Sequence, residues 1–503
     1  MPSSRANESR HAPSADLQSH MMPVTKRSAG VLLHPTSLPG IYGIGDFGDE
    51  ASAFLDWSAS AGMTLWQLLP LNPPGYGDSP YGCLSSFAGN PMLISPQRLL
   101  QEKLLAADDV SDVPRFSDDR VEFVQVSEYK FKVLRRSWER FSSASSELHD
   151  LLDAFDAFVK APEQQDWLDD YALYMALKEN AGGAPWWQWA RELIVREETA
   201  LEEARAEHAA AIEFWQYVQF LFFRQWDAVR EAAHARGIRI MGDVPIYVAS
   251  DSADVWANQS LFQLGEDGLP TFVAGVPPDY FSATGQRWGN PLYRWDVMAE
   301  NGYHWWTARV RANLRMADMI RLDHFRGFAA YWEIPASEPT AVHGRWMPGP
   351  GMALFDALRE NLGELPLVAE DLGFITEDVH ELRDRIGAPG MQILQFGFAE
   401  PDSPHLPHRF APHTVVYTGT HDNDTARGWF EHATAEEREA ARNYLSCGGG
   451  SDMAAALIRA AYTSVAETAI VPVQDILGFG SEARMNTPGA NENNWSWRLY
   501  PGV

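Results

Sequence analysis

Three acidic residues lie where separate apolar runs of the sequence end. Asp323 follows M-I-R-L, Glu370 follows L-P-L-V-A, and Asp422 follows T-V-V-Y-T-G-T-H. Because 47 and 52 residues separate them, three different strands must carry them. An acid after a strand is also a common N-cap of the next helix, so one alone would be weak evidence of a site. Three such acids, each beside a basic, imidazole or second acidic residue, favour a catalytic site.

Arg321 bears on the ionisation of these acids. Side chains of a strand alternate between its two faces, so Arg321 and Asp323 share one face, and Ile320 and Leu322 share the other. A nearby cation stabilises an ionised carboxylate, so we expect Asp323 to be an anion at neutral pH. The pair fits a nucleophile held in its charged form, and equally a structural ion pair at the end of a strand.

Cleavage of a glycosidic bond with retention requires two carboxyl groups about 5 Å apart, one ionised to attack and one protonated to donate. Their environments must differ for these roles to separate. We predict that Asp323 attacks and that Glu370, with an acidic neighbour and no adjacent cation, donates the proton. Asp422 would stabilise the charged transition state. His324 and His421, each beside an acid, suit either hydroxyl binding or a structural role.

Eight apolar runs of strand length recur along the chain, with helical patterns between most of them. The runs cover residues 28–34, 63–70, 238–246, 319–325, 365–371, 391–396, 413–422 and 469–475. Such an alternation is typical of parallel strands covered by helices, and eight strands close a barrel. We therefore predict an α/β fold, a (β/α)8 TIM barrel with helical insertions between barrel strands and no separate C-terminal β-sandwich. Chemistry in such barrels occurs at the C-terminal strand ends.

The predicted organisation is a single catalytic domain over residues 29–503. Residues 1–28 are polar and of mixed charge and lack the apolar core of a signal peptide, which predicts a disordered leader. Residues 96–236 carry successive charged helical patterns, which predict a mainly helical insertion whose last helix, apolar nearly all round, is buried. Residues 273–293 contain three glycines and three prolines, and we predict a loop without regular structure.

The overall charge restricts the possible partners. The net charge of −28 argues against nucleic acid and anionic membranes, and it favours a neutral or cationic ligand. No apolar run approaches the roughly 18 residues needed to cross a bilayer. Two cysteines, Cys83 and Cys447, lack metal-ligand spacing and fit a reducing compartment, so we predict a cytoplasmic location. The aromatic content of 12% suits either sugar binding or a large aromatic core.

Three segments resemble the catalytic segments of the amylomaltases, the 4-α-glucanotransferases of glycoside hydrolase family 77: R-L-D-H-F-R-G, A-E-D-L-G and T-G-T-H-D-N. Further similar segments are L-H-P-T-S-L-P-G, S-P-Y, F-A-G-N-P, G-D-V-P-I and V-A-G-V-P-P-D-Y-F-S-A-T-G-Q-R-W-G-N-P-L-Y. The resemblance runs from about residue 28 to the closing W-S-W-R-L. It implies Asp323 as nucleophile, Glu370 as acid/base and Asp422 as third carboxylate, with no metal and no cofactor. The sequence departs from the family pattern after Tyr81, in G-C-L-S-S.

The resemblance also implies a set of sugar-binding residues. They are Arg321, His324, His421, Tyr81, Asp243, Asp279, Tyr280, Phe281, Trp288 and Asn290. By the same resemblance, the loop of residues 273–293 covers the active site. Aromatic faces over the acceptor would favour a sugar hydroxyl over water as the second attacker.

These observations predict a 4-α-glucanotransferase that moves a segment of an α-1,4-glucan to the 4-hydroxyl of glucose or of another α-1,4-glucan. Its partners would be maltooligosaccharides, amylose or glycogen, with glucose as an acceptor, and neither nucleic acid nor membrane. We expect a monomer or a weak homodimer. The alternatives are an amylase-like hydrolase, a starch-binding protein, which would have lost a carboxylate, and a metal-dependent barrel enzyme, for which no acidic or histidine cluster has ligand spacing.

Overall fold

Parallel strands form the centre of the molecule. The computed structural model describes residues 27–143, 148–278, 282–448, 452–490 and 492–502. Its strands are β1 (Ser28–Leu32), β2 (Leu65–Gln67), β3 (Arg239–Pro245), β4 (Phe272–Val276), β5 (Gln286–Pro291), β6 (Met319–Asp323), β7 (Ala330–Pro335), β8 (Arg345–Pro348), β9 (Leu367–Ala369), β10 (Gly390–Ile393), β11 (Thr414–Tyr417) and β12 (Thr468–Pro472).

Eight of these strands form one barrel in the order β10-β11-β12-β1-β2-β3-β6-β9, and each neighbouring pair in this order is parallel. The barrel closes between β9 and β10, where the Ala369 amide donates to the Pro389 carbonyl at 3.0 Å. Each predicted apolar run overlaps one of the eight strands, and β10 and β12 begin one residue before their runs, so the TIM-barrel prediction is confirmed. Strands β2 and β11 are buried along their whole length, because parallel strands are covered by helices outside.

The helices cover the barrel and build its insertions. They are α1 (Asp49–Ser60), α2 (Pro96–Gln101), α3 (Phe123–Ser142), α4 (His149–Lys160), α5 (Leu168–Asn180), α6 (Arg191–Ile194), α7 (Glu198–Glu207), α8 (Ala209–Ala235), α9 (Ala253–Ala257), α10 (Trp295–Glu300), α11 (His304–Met316), α12 (Arg326–Ala329), α13 (Met352–Leu362), α14 (Glu377–Ile386), α15 (Ala426–His432), α16 (Ala435–Leu445), α17 (Asp452–Thr463) and α18 (Val473–Leu477). Within the described residues, no helix is long and apolar enough to cross a membrane.

The segment between β2 and β3 contains helices α2 to α8, so a helical insertion occurs where the sequence predicts one. Helix α8 is buried as expected, and its Trp226 donates to the Met316 carbonyl at 3.0 Å. Gln219 of α8 also holds the preceding loop, because its amide exchanges two hydrogen bonds with the backbone of Gly89. The predicted leader lies outside the described residues up to residue 26, and Ser28 already begins β1.

Residues 273–293 contain regular structure, so the prediction of an irregular loop is wrong. Strands β4 and β5 pair antiparallel, and β7 and β8 extend them into a sheet ordered β5-β4-β7-β8. Gly275, Gly289 and Pro291 belong to the strands themselves, whereas Pro277, Pro278 and Gly285 lie between them. A Cβ on Gly275 would lie 2.2 Å from the Gln286 carbonyl oxygen and 2.6 Å from Ile334 Cδ1, so glycine allows this pairing. Pro291 lies on β5, an edge strand of this sheet, where a missing N–H is tolerated.

The chain after β12 packs back against the loops at the start of the chain. The Leu499 amide donates to the Ser37 carbonyl at 2.8 Å, and the Arg498 guanidinium donates to the Gly40 carbonyl at 2.6 Å. Among the described residues of this segment, the regular elements are α18 and one short 3-10 turn. The segment thereby reaches the mouth of the barrel without forming a further layer of strands.

Candidate active site

The C-terminal ends of neighbouring barrel strands bring Asp323 and Glu370 together. Asp323 is the last residue of β6, and Glu370 directly follows β9, its parallel partner. The His324 amide donates to Glu370 Oε2 at 2.8 Å, and the Phe325 amide donates to the Glu370 carbonyl at 3.1 Å. The backbone after the first acid therefore contacts the second acid directly, at the barrel end where such folds place their chemistry.

Arg321 holds two carboxylates at once. Its Nη1 donates to both oxygens of Asp243 at 2.8 Å, and its Nη2 lies 2.9 Å from Asp323 Oδ1. The register of β3 on β6 explains this arrangement, because Asp243 pairs with Arg321 across the two strands. Burial disfavours the guanidinium charge, but the two carboxylates raise the pKa of Arg321 further. Asp323 is thus in contact with the cation that the strand alternation predicts, and its side chain remains 29% exposed.

Glu370 is set up differently from Asp323. Burial raises the pKa of Glu370 to about 8, the Asp323 charge adds to this effect, and Arg321 opposes it. Two backbone amides, of Leu372 and His324, donate to its carboxyl oxygens at 3.0 and 2.8 Å. Since these bonds favour the ionised form, burial is the dominant effect. The Glu370 carboxyl consequently carries a proton at neutral pH.

The sequence attributes the proton-donor role of Glu370 to an acidic neighbour and to the lack of an adjacent cation, and neither reason holds in the structure. The acidic neighbour in the sequence is Asp371, but its charge is not among the causes of the raised pKa of Glu370. Its carboxylate accepts from Arg383 at 2.6 Å and from the Met391 amide at 2.8 Å. Arg321 is the nearby cation whose presence the chain order did not reveal. Asp371 is a structural residue, and burial provides the main shift.

Asp422 lies in the loop after β11 and is held by the C-terminal segment. Asn486 Nδ2 donates to Asp422 Oδ1 at 2.6 Å, and Arg484 donates to the Asp422 carbonyl at 2.7 Å. The Asp422 side chain is 45% exposed, so its carboxylate remains open to solvent and to a ligand. Its charge acts on Tyr81, which places it at the same mouth. Sequence reasoning missed Asn486 and Arg484, for which the only signal was the family-like ending of the chain.

Tyr81 and His421 form a stacked pair beside the charged groups. The Tyr81 hydroxyl donates to Asp243 Oδ2 at 2.8 Å, and its ring lies 5.1 Å from that of His421 at an angle of 16°. His421 Nε2 is 3.4 Å from Asp422 Oδ1. Trp495, which sequence reasoning also missed, packs on both rings at 5.6 and 5.9 Å. This cluster connects the Arg321 network to Asp422.

His324, which directly follows Asp323, is held as a neutral imidazole. Burial lowers the pKa of His324 to about 4, and the Asp323 charge only partly compensates. The backbone of His324 has a φ of 50°, a strained value for a residue other than glycine, which orients its amide toward Glu370. Its ring meets Trp288 edge to face at 4.8 Å. A neutral ring has one donor and one acceptor nitrogen, which suits a sugar hydroxyl.

Two of the remaining predicted sugar-binding residues, Trp288 and Asn290, lie on β5 of the second, antiparallel sheet. Trp288, on β5, is 39% exposed beside His324. Asn290 uses its amide to donate to the Val248 carbonyl at 2.8 Å, so part of its hydrogen-bonding capacity is used inside the protein. The predictions for Asp279, Tyr280 and Phe281 lie outside the residues that the structure describes.

The family model described as 4-alpha-glucanotransferase, Glyco_hydro_77, matches residues 33–501. The chain belongs to this family. It is 50% identical over 484 residues to the 4-alpha-glucanotransferase of Thermus thermophilus, with 95% of each chain covered. It is 46% identical over 480 residues to the chloroplastic/amyloplastic enzyme of Arabidopsis thaliana, covering 95% of this chain and 82% of that one.

Solved structures agree with this assignment. The amylomaltase from Streptococcus agalactiae, in complex with acarbose, superposes with a TM-score of 0.91 at 38% identity, covering 95% of this chain and 96% of that chain. The amylomaltase from Corynebacterium glutamicum shares the fold with a TM-score of 0.78 at 22% identity, covering 94% of this chain and 71% of that chain. The protein is therefore a 4-alpha-glucanotransferase, a glycosyl-transferring enzyme, as the catalytic segments predict.

The raised pKa of Glu370 predicts a pH dependence. An acid with a pKa of about 8 carries its proton below that pH and loses it above, so the first step with a glucan donor should be insensitive to pH near 7. Well above pH 8, its rate should fall about tenfold per pH unit. The measurement is kcat/KM for the donor between pH 6 and pH 10. A glucosyl fluoride, whose leaving group needs no proton, is the control. An identical loss of rate at alkaline pH with both donors would contradict the predicted role of Glu370 as the proton donor.

Proposed function

We propose that this enzyme moves a segment of an α-1,4-glucan to the 4-hydroxyl of glucose or of another α-1,4-glucan, through a covalent β-glycosyl-enzyme on Asp323. One observation carries the proposal: two adjacent carboxyls have opposite environments. Asp323 contacts the guanidinium of Arg321 at 2.9 Å, and Glu370 has a pKa of about 8. This separation supplies one nucleophile and one proton donor at the same pH.

The first step forms the glycosyl-enzyme. An oxygen of the Asp323 carboxylate attacks the anomeric carbon, while the bond from that carbon to the departing glucosidic oxygen breaks. Glu370 gives its proton to this oxygen, so the leaving chain departs as an alcohol and Glu370 becomes an anion. The open Asp422 carboxylate, held by Asn486 at 2.6 Å, binds sugar hydroxyls and stabilises the positive charge that develops on the ring.

The second step reverses the roles of the first. Glu370, now ionised, takes the proton from the 4-hydroxyl of the acceptor, whose oxygen attacks the anomeric carbon and releases the Asp323 carboxylate. Retention follows from the two inversions. His324, His421 and Tyr81 are the proposed hydroxyl-binding and positioning residues at this mouth. Buried Arg321, itself held by Asp243, contacts the nucleophile at 2.9 Å and fixes its position.

The choice of substrate rests on the relatives and on the composition of the site. A neutral sugar is compatible with a protein of net charge −28, whereas a polyanion is not. The relatives are named 4-alpha-glucanotransferases, and the structure of one amylomaltase holds acarbose. The aromatic rings of Trp288 and Tyr81 beside the carboxylates suit the apolar faces and hydroxyls of pyranose rings. We therefore propose maltooligosaccharides, amylose or glycogen as donors.

Incubation with maltotriose tests the function. A transferase converts maltotriose into glucose together with a ladder of longer chains, and the number of reducing ends stays constant because each cleavage is matched by one transfer. An amylase-like hydrolase gives only shorter products, and its reducing ends increase. Chromatography of the products by chain length, with a reducing-end assay on the same samples, separates the two outcomes. Shorter products alone would overturn the proposal.

Exclusion of water should depend on the segment that connects β4 and β5. Water outnumbers any sugar acceptor, so the protein must favour the acceptor by binding energy and by shielding the glycosyl-enzyme. We propose Tyr280 and Phe281 for this role. Truncating both to alanine should lower transfer more than cleavage and raise the reducing ends released per transfer event from maltotriose. If both rates fall in proportion, the two rings serve only to bind substrate.

The proposed cellular location is the cytoplasm. Both cysteines, Cys83 and Cys447, are free, which suits the proposed reducing cytoplasm. A monomer or weak homodimer is expected, and sedimentation velocity over a range of concentrations measures it.

A further inference from the structure

An exposed aromatic ring lies close to the catalytic mouth. Phe374 follows Glu370 by four residues in the loop after β9, and it is 69% exposed. Four residues span at most about 14 Å, which limits the distance between the two Cα atoms. Gly373, with a φ of +84°, allows the chain to turn sharply just before the ring. A single exposed ring is common on protein surfaces, so its surroundings must show whether it has a role.

Arg326 holds Phe374 together with a second aromatic ring. Its guanidinium carbon lies 5.5 Å from the centre of the Phe374 ring and 4.0 Å from that of Trp346. Its Nη1 donates to the hydroxyl of Thr376, in the same loop as Phe374, at 2.8 Å. A planar guanidinium stacks well on aromatic faces. Arg326 is only 8% exposed, so these residues form a cluster around one buried cation, here called the Phe374–Trp346 cluster.

The Phe374–Trp346 cluster adjoins the catalytic residues without belonging to them. Arg326 follows Asp323 by three residues, and its charge acts on His324. Trp346 is on β8, at the edge of the second sheet, and packs edge to face on Trp332 at 5.2 Å. The cluster therefore connects β8 of the second sheet to the segments that follow Asp323 and Glu370 in the chain.

Phe374 contributes little to the packing of the fold. Its neighbours Leu372 and Ile375 pack against the main hydrophobic core, whereas Phe374 is absent from that core and leaves most of its ring in solvent. Among the residues that the structure describes, Arg326 is the group that packs on the Phe374 ring. One face is thus occupied by a cation, and the ring keeps free area directed to solvent.

We propose that the Phe374–Trp346 cluster is an outer sugar-binding surface, on which a glucosyl unit remote from the reacting bond packs against the Phe374 ring. The apolar face of a neutral pyranose matches an aromatic ring, and Arg326 keeps the ring in place before substrate arrives. This inference rests on the proposed action on α-1,4-glucans. It predicts that long chains use a contact that short chains do not reach.

Kinetics with two donor lengths test the inference. In Phe374→Ala, we expect kcat/KM for maltoheptaose to fall about three- to tenfold, mainly through KM, because one stacking contact is lost. Values for maltotriose should change less than twofold. Phe374→Leu keeps apolar bulk without a ring and should behave like the alanine variant, whereas Phe374→Trp should retain the preference for the longer chain.

The outcomes separate this inference from the proposed function. The wild-type product ladder from maltotriose is measured first, and its absence would refute the function itself. If the ladder is present and Phe374→Ala loses activity equally with both chain lengths, the ring acts by positioning the Glu370 loop. If Phe374→Ala leaves kcat/KM unchanged for both substrates, the ring has no contact with substrate. Either of these two results overturns the outer binding surface and leaves the transferase function intact.

Discussion

Replacing Asp323 with asparagine is expected to lower turnover of a glucan donor by about four orders of magnitude or more, while the fold persists. Asparagine has nearly the same size but no attacking charge. Arg321 keeps both hydrogen bonds to Asp243, at 2.8 Å, so the surrounding network should remain in place. The measurement is the rate of product formation from maltotriose under saturating conditions, together with the thermal unfolding midpoint of the variant.

Asp371→Asn is the matched control for carboxyl-to-amide changes at this mouth. Asp371 adjoins Glu370 in sequence, but its carboxylate bonds Arg383 at 2.6 Å and the Met391 amide at 2.8 Å. We expect this control to lose thermal stability and to keep its activity per folded molecule, because it breaks a partly buried ion pair away from the chemistry. Turnover of Asp323→Asn close to that of the control would show that another group attacks.

Replacing Glu370 with glutamine is expected to lower the turnover of maltotriose by about 10²- to 10⁴-fold, because this is the usual contribution of a general acid. The first step with a glucosyl fluoride should be nearly unaffected, because fluoride departs without a proton. Glutamine keeps an oxygen that can accept from the His324 or Leu372 amide, so the loop should stay in position. Pre-steady-state release of fluoride, compared between wild type and variant, measures this step directly.

The same variant should accumulate the covalent intermediate. Without the carboxylate of Glu370, the acceptor hydroxyl has no base, so the second step becomes slow while the first continues. After mixing with the fluoride, the intact mass should rise by one glucosyl unit, and peptide mapping should place that unit on Asp323. If Glu370→Gln loses as much activity with the glucosyl fluoride as with maltotriose, Glu370 is not the acid. An adduct on another residue would refute Asp323 as the nucleophile.

Local patterns in the sequence were sufficient to predict the barrel and the position of its acids. Each of the eight apolar runs overlaps one barrel strand to within one residue, because a strand covered by helices must be apolar over its length. The alternation of side chains along β6 likewise placed Arg321 next to Asp323, and their atoms are 2.9 Å apart. Both results depend only on backbone geometry within short stretches, which the residue order alone specifies.

The second sheet shows the limit of such local patterns. The glycines and prolines of residues 273–293 predicted an irregular loop, but β4 pairs with both β5 and β7 there. Gly275 is required because two neighbouring strands approach its α-carbon. Strand pairing depends on a partner elsewhere in the chain, so the propensity of one segment does not reveal it.

The electrostatics of the site required the tertiary structure. The sequence determined which acids reach the mouth, but the register of β3 on β6 decided that Arg321 is shared with Asp243. The return of the C-terminal segment placed Asn486 on Asp422, across 64 residues of sequence. Burial, rather than a neighbouring acid, raises the pKa of Glu370. Register and burial arise from the packing of distant segments, and for that reason residue order alone predicted the acids at the mouth but not the cause of the raised pKa of Glu370.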